Sequence, residues 1–232
     1  MIVVKRKNID AIKNMVGNHS NVLILGCDGC AGIMQEGGKR QADLLAMGLE
    51  MKRQLETDEE LKVETNTVLR QCDKTVILST ARAFHETVKK SDVIISLGCG
   101  AGVQTLAEMF PQKIIVPGTD TLFIGAQERD FRTHIELCRA CGDCILFDTG
   151  GVCPITRCAK GLMNGPCGGV IDGKCEVGNY TKDCAWFLIW KRLKELGQLE
   201  RFTKIRPPRN FSQSMGAPRE FKYSGSTEAA MK

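Results

Sequence analysis

A parallel α/β sheet domain, then a small module held by metal-ligand bonds, then an extended arm: this is the architecture the sequence predicts. Three observations carry it. Short apolar runs alternate with helical patterns over the first half, eight of the twelve cysteines crowd between Cys138 and Cys184, and prolines and basic residues gather from Arg201 onward. The expected boundaries are residues 1–126, 127–200 and 201–232.

In order along the chain, Asn21 to Gly26 is a short buried-strand run, and Glu36 to Leu55 repeats Leu44, Leu45, Met47, Leu49, Met51 and Leu55 at helical spacing. Leu61 to Val68 alternates Val63, Thr65 and Thr67 as a strand does, and Asp73 to Lys90 is helical through Ile77, Ala81, Phe84 and Val88. Asp92 to Leu97 is a second buried run, Gly102 to Met109 a helix, and Lys113 to Val116 a strand before Pro117-Gly118. Strands alternating with helices imply right-handed crossovers and a parallel sheet covered on both faces, a Rossmann-like arrangement.

That scheme places four cysteines beyond the carboxyl ends of strands, the edge where open α/β sheets build their sites. Cys27 and Cys30 follow the first strand, Cys72 the second and Cys99 the third. Four thiolates at one rim make a complete set for a 4Fe-4S cluster or a zinc ion. Glycines beside Cys27, Cys30 and Cys99 favour the cluster, since they let backbone N–H groups approach sulfur. A redox dithiol at Cys27 and Cys30, or plain buried cysteines, are the other readings. Neither glycine-rich turn has the GxGxxG spacing of a dinucleotide site, so no NAD is expected.

A polar helical linker is expected between Ala126 and Leu137, leading into the cysteine-rich stretch. So little apolar material cannot hold a fold through core burial alone, and metal bonds must substitute. Cys138-x-x-Cys141-x-x-Cys144 matches the first three ligands of a bacterial ferredoxin motif, and Cys153-Pro154 resembles its ending at longer spacing. By that analogy Cys138, Cys141, Cys144 and Cys184 hold one cluster, and Cys153, Cys158, Cys167 and Cys175 hold a second cluster or zinc. Grouping in chain order is the alternative. The module is then ferredoxin-like or ribbon-like.

No apolar stretch has signal-peptide or membrane-spanning length, so the chain is expected to be cytoplasmic, with reduced cysteines rather than disulfides. From Arg201 on, seven basic residues face two acidic ones, which gives the tail the whole chain's surplus of +5. Pro207, Pro208 and Pro218 with Phe202, Phe211, Phe221 and Tyr223 suit an arm lying across a partner protein better than a nucleic-acid contact. The helix from Ala185 to Leu196 presents Trp186, Ile189, Trp190 and Leu193 on one face, for packing on its own domain. His19, His85 and His134 show no ligand spacing.

Several segments resemble a known family. Val22 to Gly32, Arg70-Gln-Cys-Asp73, Leu97 to Gln104, Cys141-Gly-Asp-Cys144, Thr149 to Gly161, Asn164 to Gly169 and Gly173 to Val177 are similar to the MetV-type iron-sulfur small subunit of methylenetetrahydrofolate reductase. The likeness covers about residues 20 to 200. It departs at Met34, where some relatives carry a further cysteine. The resemblance implies an electron-transfer subunit, without catalysis of its own, in the Wood-Ljungdahl pathway of acetogen-like bacteria. Its two or three 4Fe-4S clusters would pass electrons from ferredoxin or another donor to the FMN of a catalytic flavoprotein subunit. No nucleic acid and no membrane partner is implied. The competing readings are a zinc-stabilised structural or interaction subunit, and a self-contained flavin or NAD enzyme.

Overall fold

The computed structural model describes residues 1–57, 60–128, 133–209 and 218–220. The chain divides into two compact units, Met1–Ile135 and Glu136–Lys232. The first contains β1 (Ile2–Arg6), α1 (Ile9–Val16), β2 (Asn21–Cys27), α2 (Cys30–Ile33), α3 (Lys39–Thr57), β3 (Lys62–Val68), α4 (Lys74–Ala81), a 3-10 turn over Arg82–Phe84, α5 (His85–Lys90), β4 (Val93–Ser96), α6 (Gly100–Met109), β5 (Ile114–Pro117) and β6 (Thr119–Gln127). The boundary falls inside β7 (His134–Cys138).

Four strands form a parallel sheet in the order β3-β2-β4-β5. Successive strand residues point to opposite faces. Val22, Ile24, Val93 and Ile95 meet Ile12 and Val16 of α1 and Ala42, Leu45 and Leu49 of α3. Leu23, Leu25 and Ile94 meet Ile77 of α4, Phe84, Val88 of α5 and Leu106 of α6. Burial on both faces is why β2 and β4 are continuous apolar runs rather than alternating ones. On α3, Leu44, Met47, Met51 and Leu55 are exposed. The apolar stripe legible in the sequence is therefore wider than the face the sheet uses.

Local signals set several ends. Asn8 caps α1 by accepting from the Asp10 N–H, and Asp73 caps α4 by accepting from the Thr75 and Val76 N–H groups. The single helix expected over 73–90 is interrupted, because Phe84 leaves the helical region (φ −127, ψ 26) while its ring is buried against the sheet.

A second sheet has the order β1-β6-β7. β1 pairs antiparallel with β6, from Ile2 opposite Ile124 to Arg6 opposite Thr119. The helical linker expected between Ala126 and Leu137 is corrected here: β6 runs through Gln127, and His134–Cys138 is a strand. His134-Ile135-Glu136-Leu137 alternates polar and apolar residues, which is a strand period. Residues 129–132 lie outside the described ones.

In the second unit, α7 (Pro154–Arg157), the two-residue strands β8 (Val170–Ile171) and β9 (Lys174–Cys175), α8 (Ala185–Glu195) and a 3-10 turn over Leu199–Arg201 punctuate long loops. β8 and β9 form an antiparallel hairpin. These elements do not by themselves define a ferredoxin-like or ribbon-like fold. The core is Cys184, Trp186, Ile189 and Leu193, with Val152, Cys158, Leu162, Val170, Cys175 and Phe202 packed on it. α8 thus packs on its own unit through Trp186, Ile189 and Leu193, while Trp190, read on the same face, stays half-buried outside that cluster. Among the described residues, no helix is long and apolar enough to cross a membrane.

Candidate thiolate centres

The sheet order places a topological switch between β2 and β4, which lie side by side while their chain continuations diverge. Cys27 ends β2, and Cys99 stands at the N-cap of α6 just beyond β4. Both belong to one apolar cluster with Ile2, Val4 and Ala31. Cys30 opens α2 three residues on from Cys27, and Cys72 lies on the loop after β3. Cys27 is 8 % exposed and Cys72 is exposed.

Burial pushes the Cys27 thiol above its ordinary 9.0, and the neighbouring Cys72 and Cys99 add to the rise, while the backbone N–H groups of Gln71 and Gly29 pull against it. Cys72 and Cys99 thus both act on Cys27. Two backbone donors already face the Cys27 sulfur. Gly29, one of the glycines expected to bring its N–H to sulfur, supplies one of these, and Gln71 supplies the other.

Gln71 is the residue sequence reasoning missed. Fully buried, it donates from Nε2 to the Leu25 carbonyl at 2.7 Å and accepts from Ser96 Oγ at 2.5 Å. Ser96 Oγ in turn accepts from the Gly98 N–H at 3.2 Å. One side chain thus ties the ends of β2 and β4 to the loop that carries Cys72. Gly98 and Gly102 leave room for it: a Cβ at either would come within 2.5 Å or 2.8 Å of Gln71 atoms. The sequence signals were a polar step immediately before a cysteine and the place of Arg70-Gln-Cys-Asp73 among the segments that carry the resemblance, and neither gives Gln71 a role.

In the second unit, Cys138-Cys144 forms a tight loop in which Ala140 (φ 49) and Gly142 (φ 85) take left-handed conformations. The Ala140 N–H donates to Cys138 Sγ at 3.3 Å. At Cys141, burial works to push the thiol up, but the Arg209 guanidinium and the Asp143 backbone N–H outweigh it and hold the group below its ordinary 9.0. Cys153 and Cys158 bracket the single turn of α7, with Pro154 at its start. Cys184 is the N-cap of α8 and shares its apolar cluster with Cys158 and Cys175, members of the other expected set. Cys167 is exposed, 3.8 Å from Glu176 Oε1, beside the Lys160–Glu176 ion pair.

All twelve cysteines are unpaired. The donor chemistry fits a thiophilic metal or an iron-sulfur cluster: many free thiols, and backbone N–H groups that act on the sulfurs of Cys27 and Cys138. As the side chains stand, no group of three or more His, Cys, Asp or Glu residues among the described ones is arranged to hold a metal ion. His85 is exposed, and His134 has a buried Nε2 without a hydrogen-bond partner.

Residues 116–212 match the family model described as methylene-tetrahydrofolate reductase C terminal. The match contains all eight cysteines of the second unit and stops short of the four at the sheet rim. It defines an oxidoreductase-associated class and relates the chain to methylenetetrahydrofolate reductase. No curated protein and no solved structure matches the chain.

Proposed function

We propose that this chain is a cytoplasmic iron-sulfur subunit of a heteromeric methylenetetrahydrofolate reductase. It relays electrons from ferredoxin or another donor to the FMN of a catalytic flavoprotein subunit, which reduces methylenetetrahydrofolate to methyltetrahydrofolate. The observation that carries this reading is the family match over 116–212, because that stretch holds eight unpaired cysteines.

On this reading Cys27, Cys30, Cys72 and Cys99 hold one centre, and the eight cysteines from Cys138 to Cys184 hold one or two more. Bound 4Fe-4S clusters supply one-electron transfer there. The chain's own residues do the rest: Gln71 gathers the rim loops, backbone N–H groups face the Cys27 and Cys138 sulfurs, and Trp186, Ile189 and Leu193 exclude water beside Cys184.

Iron, sulfide and zinc content of anaerobically purified protein, with its absorption spectrum, tests the reading. A brown protein with about 8 to 12 irons, the content of two or three four-iron clusters, is expected. A colourless protein holding only zinc would overturn the electron relay and leave a structural subunit.

A further inference from the structure

The described residues of the basic tail, up to Arg209, lie on the unit that carries the clustered cysteines. Phe202 packs edge-on against Trp186 at 5.9 Å, and the Arg201 guanidinium sits 3.9 Å from the Phe147 ring centre while donating to the Phe147 carbonyl at 3.0 Å. Asn164 exchanges two hydrogen bonds with the Arg206 backbone, at 2.9 and 3.0 Å, and Arg206 pairs with Asp148 at 2.9 Å. These contacts fix the direction of the chain. They deliver Arg209 to the Cys138–Cys144 loop. Phe211, Phe221, Lys222, Tyr223 and Lys232 lie outside the described residues.

There, Arg209 Nη2 donates to the Asp143 carbonyl at 2.9 Å and to the Cys141 carbonyl at 3.2 Å. Arg219 donates to the Ala140 carbonyl at 3.1 Å. The Arg209 side chain is only 4 % exposed, and its Nε is buried with no hydrogen-bond partner. Its nearest counter-charge, Asp143 Oδ2, is 3.9 Å away on a side chain that is 56 % exposed. A buried guanidinium served by neutral carbonyls and a distant, hydrated carboxylate is costly unless further negative charge stands nearby. Cys138, Cys141 and Cys144 of this loop, once bound as thiolates to a metal centre, would supply that charge.

We propose that Arg209 is the positioning residue of the Cys138–Cys144 loop, holding its carbonyls to one side and raising the reduction potential of the centre its thiolates bind. The inference rests on the iron-sulfur reading above. Reduction adds negative charge to a thiolate-bound centre, so a fixed positive charge beside it stabilises the reduced form. Nη2 serves both carbonyls on a rigid, buried guanidinium, so a lysine on its flexible stem keeps the charge but not the fixed geometry.

The test compares the full-length protein with R209Q, R209K and R219Q. Two quantities are read: midpoint potentials from spectroscopically monitored redox titration, and amide hydrogen exchange over residues 138–144. In R209Q one centre shifts to lower potential while the others stay fixed, and exchange in the loop speeds about tenfold, as loss of charged hydrogen bonds requires. R209K keeps the potential near the native value yet still exchanges faster. R219Q, altered at an exposed position, speeds exchange at Ala140 and its neighbours without a large shift in potential; R209K serves if R209Q fails to fold, and unchanged exchange in it then overturns the proposal. Unchanged potentials and unchanged exchange in R209Q overturn the proposal. A native protein devoid of iron overturns the electron-transfer reading instead, and the exchange measurement then decides whether Arg209 holds the loop.

Discussion

Gln71 Nε2 and the Leu25 carbonyl, 46 positions apart in the chain, meet at 2.7 Å inside a fully buried part of the first unit. The same side chain accepts from Ser96 Oγ. Replacing it with leucine keeps the bulk and removes two buried hydrogen bonds, although the Leu25 carbonyl keeps the Leu97 N–H at 3.0 Å and Ser96 Oγ keeps the Gly98 N–H at 3.2 Å. The expected cost is about 2 kcal/mol, the sum of two buried hydrogen bonds lost. Urea unfolding of Q71L measures it. Metal content should fall along with stability, because Cys72 follows Gln71 directly. A variant as stable and as metal-rich as the native chain would show that the three rim loops converge for another reason.

Gly37 and Gly48 make a controlled pair. A Cβ at Gly37 would stand 2.1 Å from the Leu97 carbonyl oxygen and 2.8 Å from Ala31 Cβ, while Gly37 also accepts from the Cys27 N–H at 2.8 Å. Backbone cannot step aside there, so G37A is expected to destabilise by about 2 kcal/mol. At Gly48, inside α3, a Cβ meets only the tip of Ile9, at 2.8 Å from its Cδ1. That tip can rotate away, and the helix gains about 1 kcal/mol from alanine. G48A should therefore unfold at the same or a higher temperature than the native chain. Equal losses in the two variants would contradict the packing described at the rim.

The doubly covered sheet was legible because its strands are buried on both faces, so β2 and β4 stand out as apolar runs and the intervening helices keep their periodicity. α8 was legible for the same reason, its burial following the spacing of Trp186, Ile189 and Leu193. The β1–β6 pairing was not. Ile2 and Ile124 meet only through the completed fold, and no local pattern announces a partner so distant. The placement of the rim cysteines follows from strand order, hence from local signals. The groupings in the second unit do not, since loops with left-handed residues such as Ala140, Gly142, Asp172 and Asn179 carry no periodicity to follow. Arg209 was visible only as part of a charge surplus, and its burial depends on contacts made by Phe202 and Arg206 upstream.

Acid should weaken the first unit through three exposed carboxylates. Hydrogen bonding and charge from Lys52 hold Asp10 below its ordinary 3.8, Lys39 and Thr65 do the same for Asp43, and Lys13 holds Glu56 below 4.5. A depressed carboxylate contributes stability that is present above its unfolded value and is lost as pH falls through the folded one. The loss therefore begins below about pH 4.5 and continues through the lower, folded values. These pairs face solvent, so roughly 1 M salt, with a Debye length of about 3 Å, should flatten the dependence. Melting between pH 5 and 3 at low and high salt reads this out. A pH dependence indifferent to salt would assign acid sensitivity to other groups.

Both tryptophans of the chain, Trp186 and Trp190, lie on α8, so tryptophan emission reports the second unit alone. Trp186 is 5 % exposed and its indole N–H donates to the Leu162 carbonyl at 3.1 Å. Around it the fully or nearly buried core amounts to Cys184, Ile189 and Leu193, with Phe202 supplied by the tail. So small a core is insufficient to order the long loops by hydrophobic burial, and thiolate bonds are expected to make up the difference. Stripping metal under anaerobic, reducing conditions should move the emission to longer wavelength, while the far-UV circular dichroism from the first unit's helices and sheet largely persists. Wavelength is the informative quantity, because removal of an iron-sulfur chromophore changes intensity by itself. F202A should lower the temperature of the same transition in the loaded protein, since it uncovers one edge of Trp186. Emission at the native wavelength in fully stripped protein would mean that α8 and its few contacts suffice, and that the cysteines serve a role other than holding this unit together.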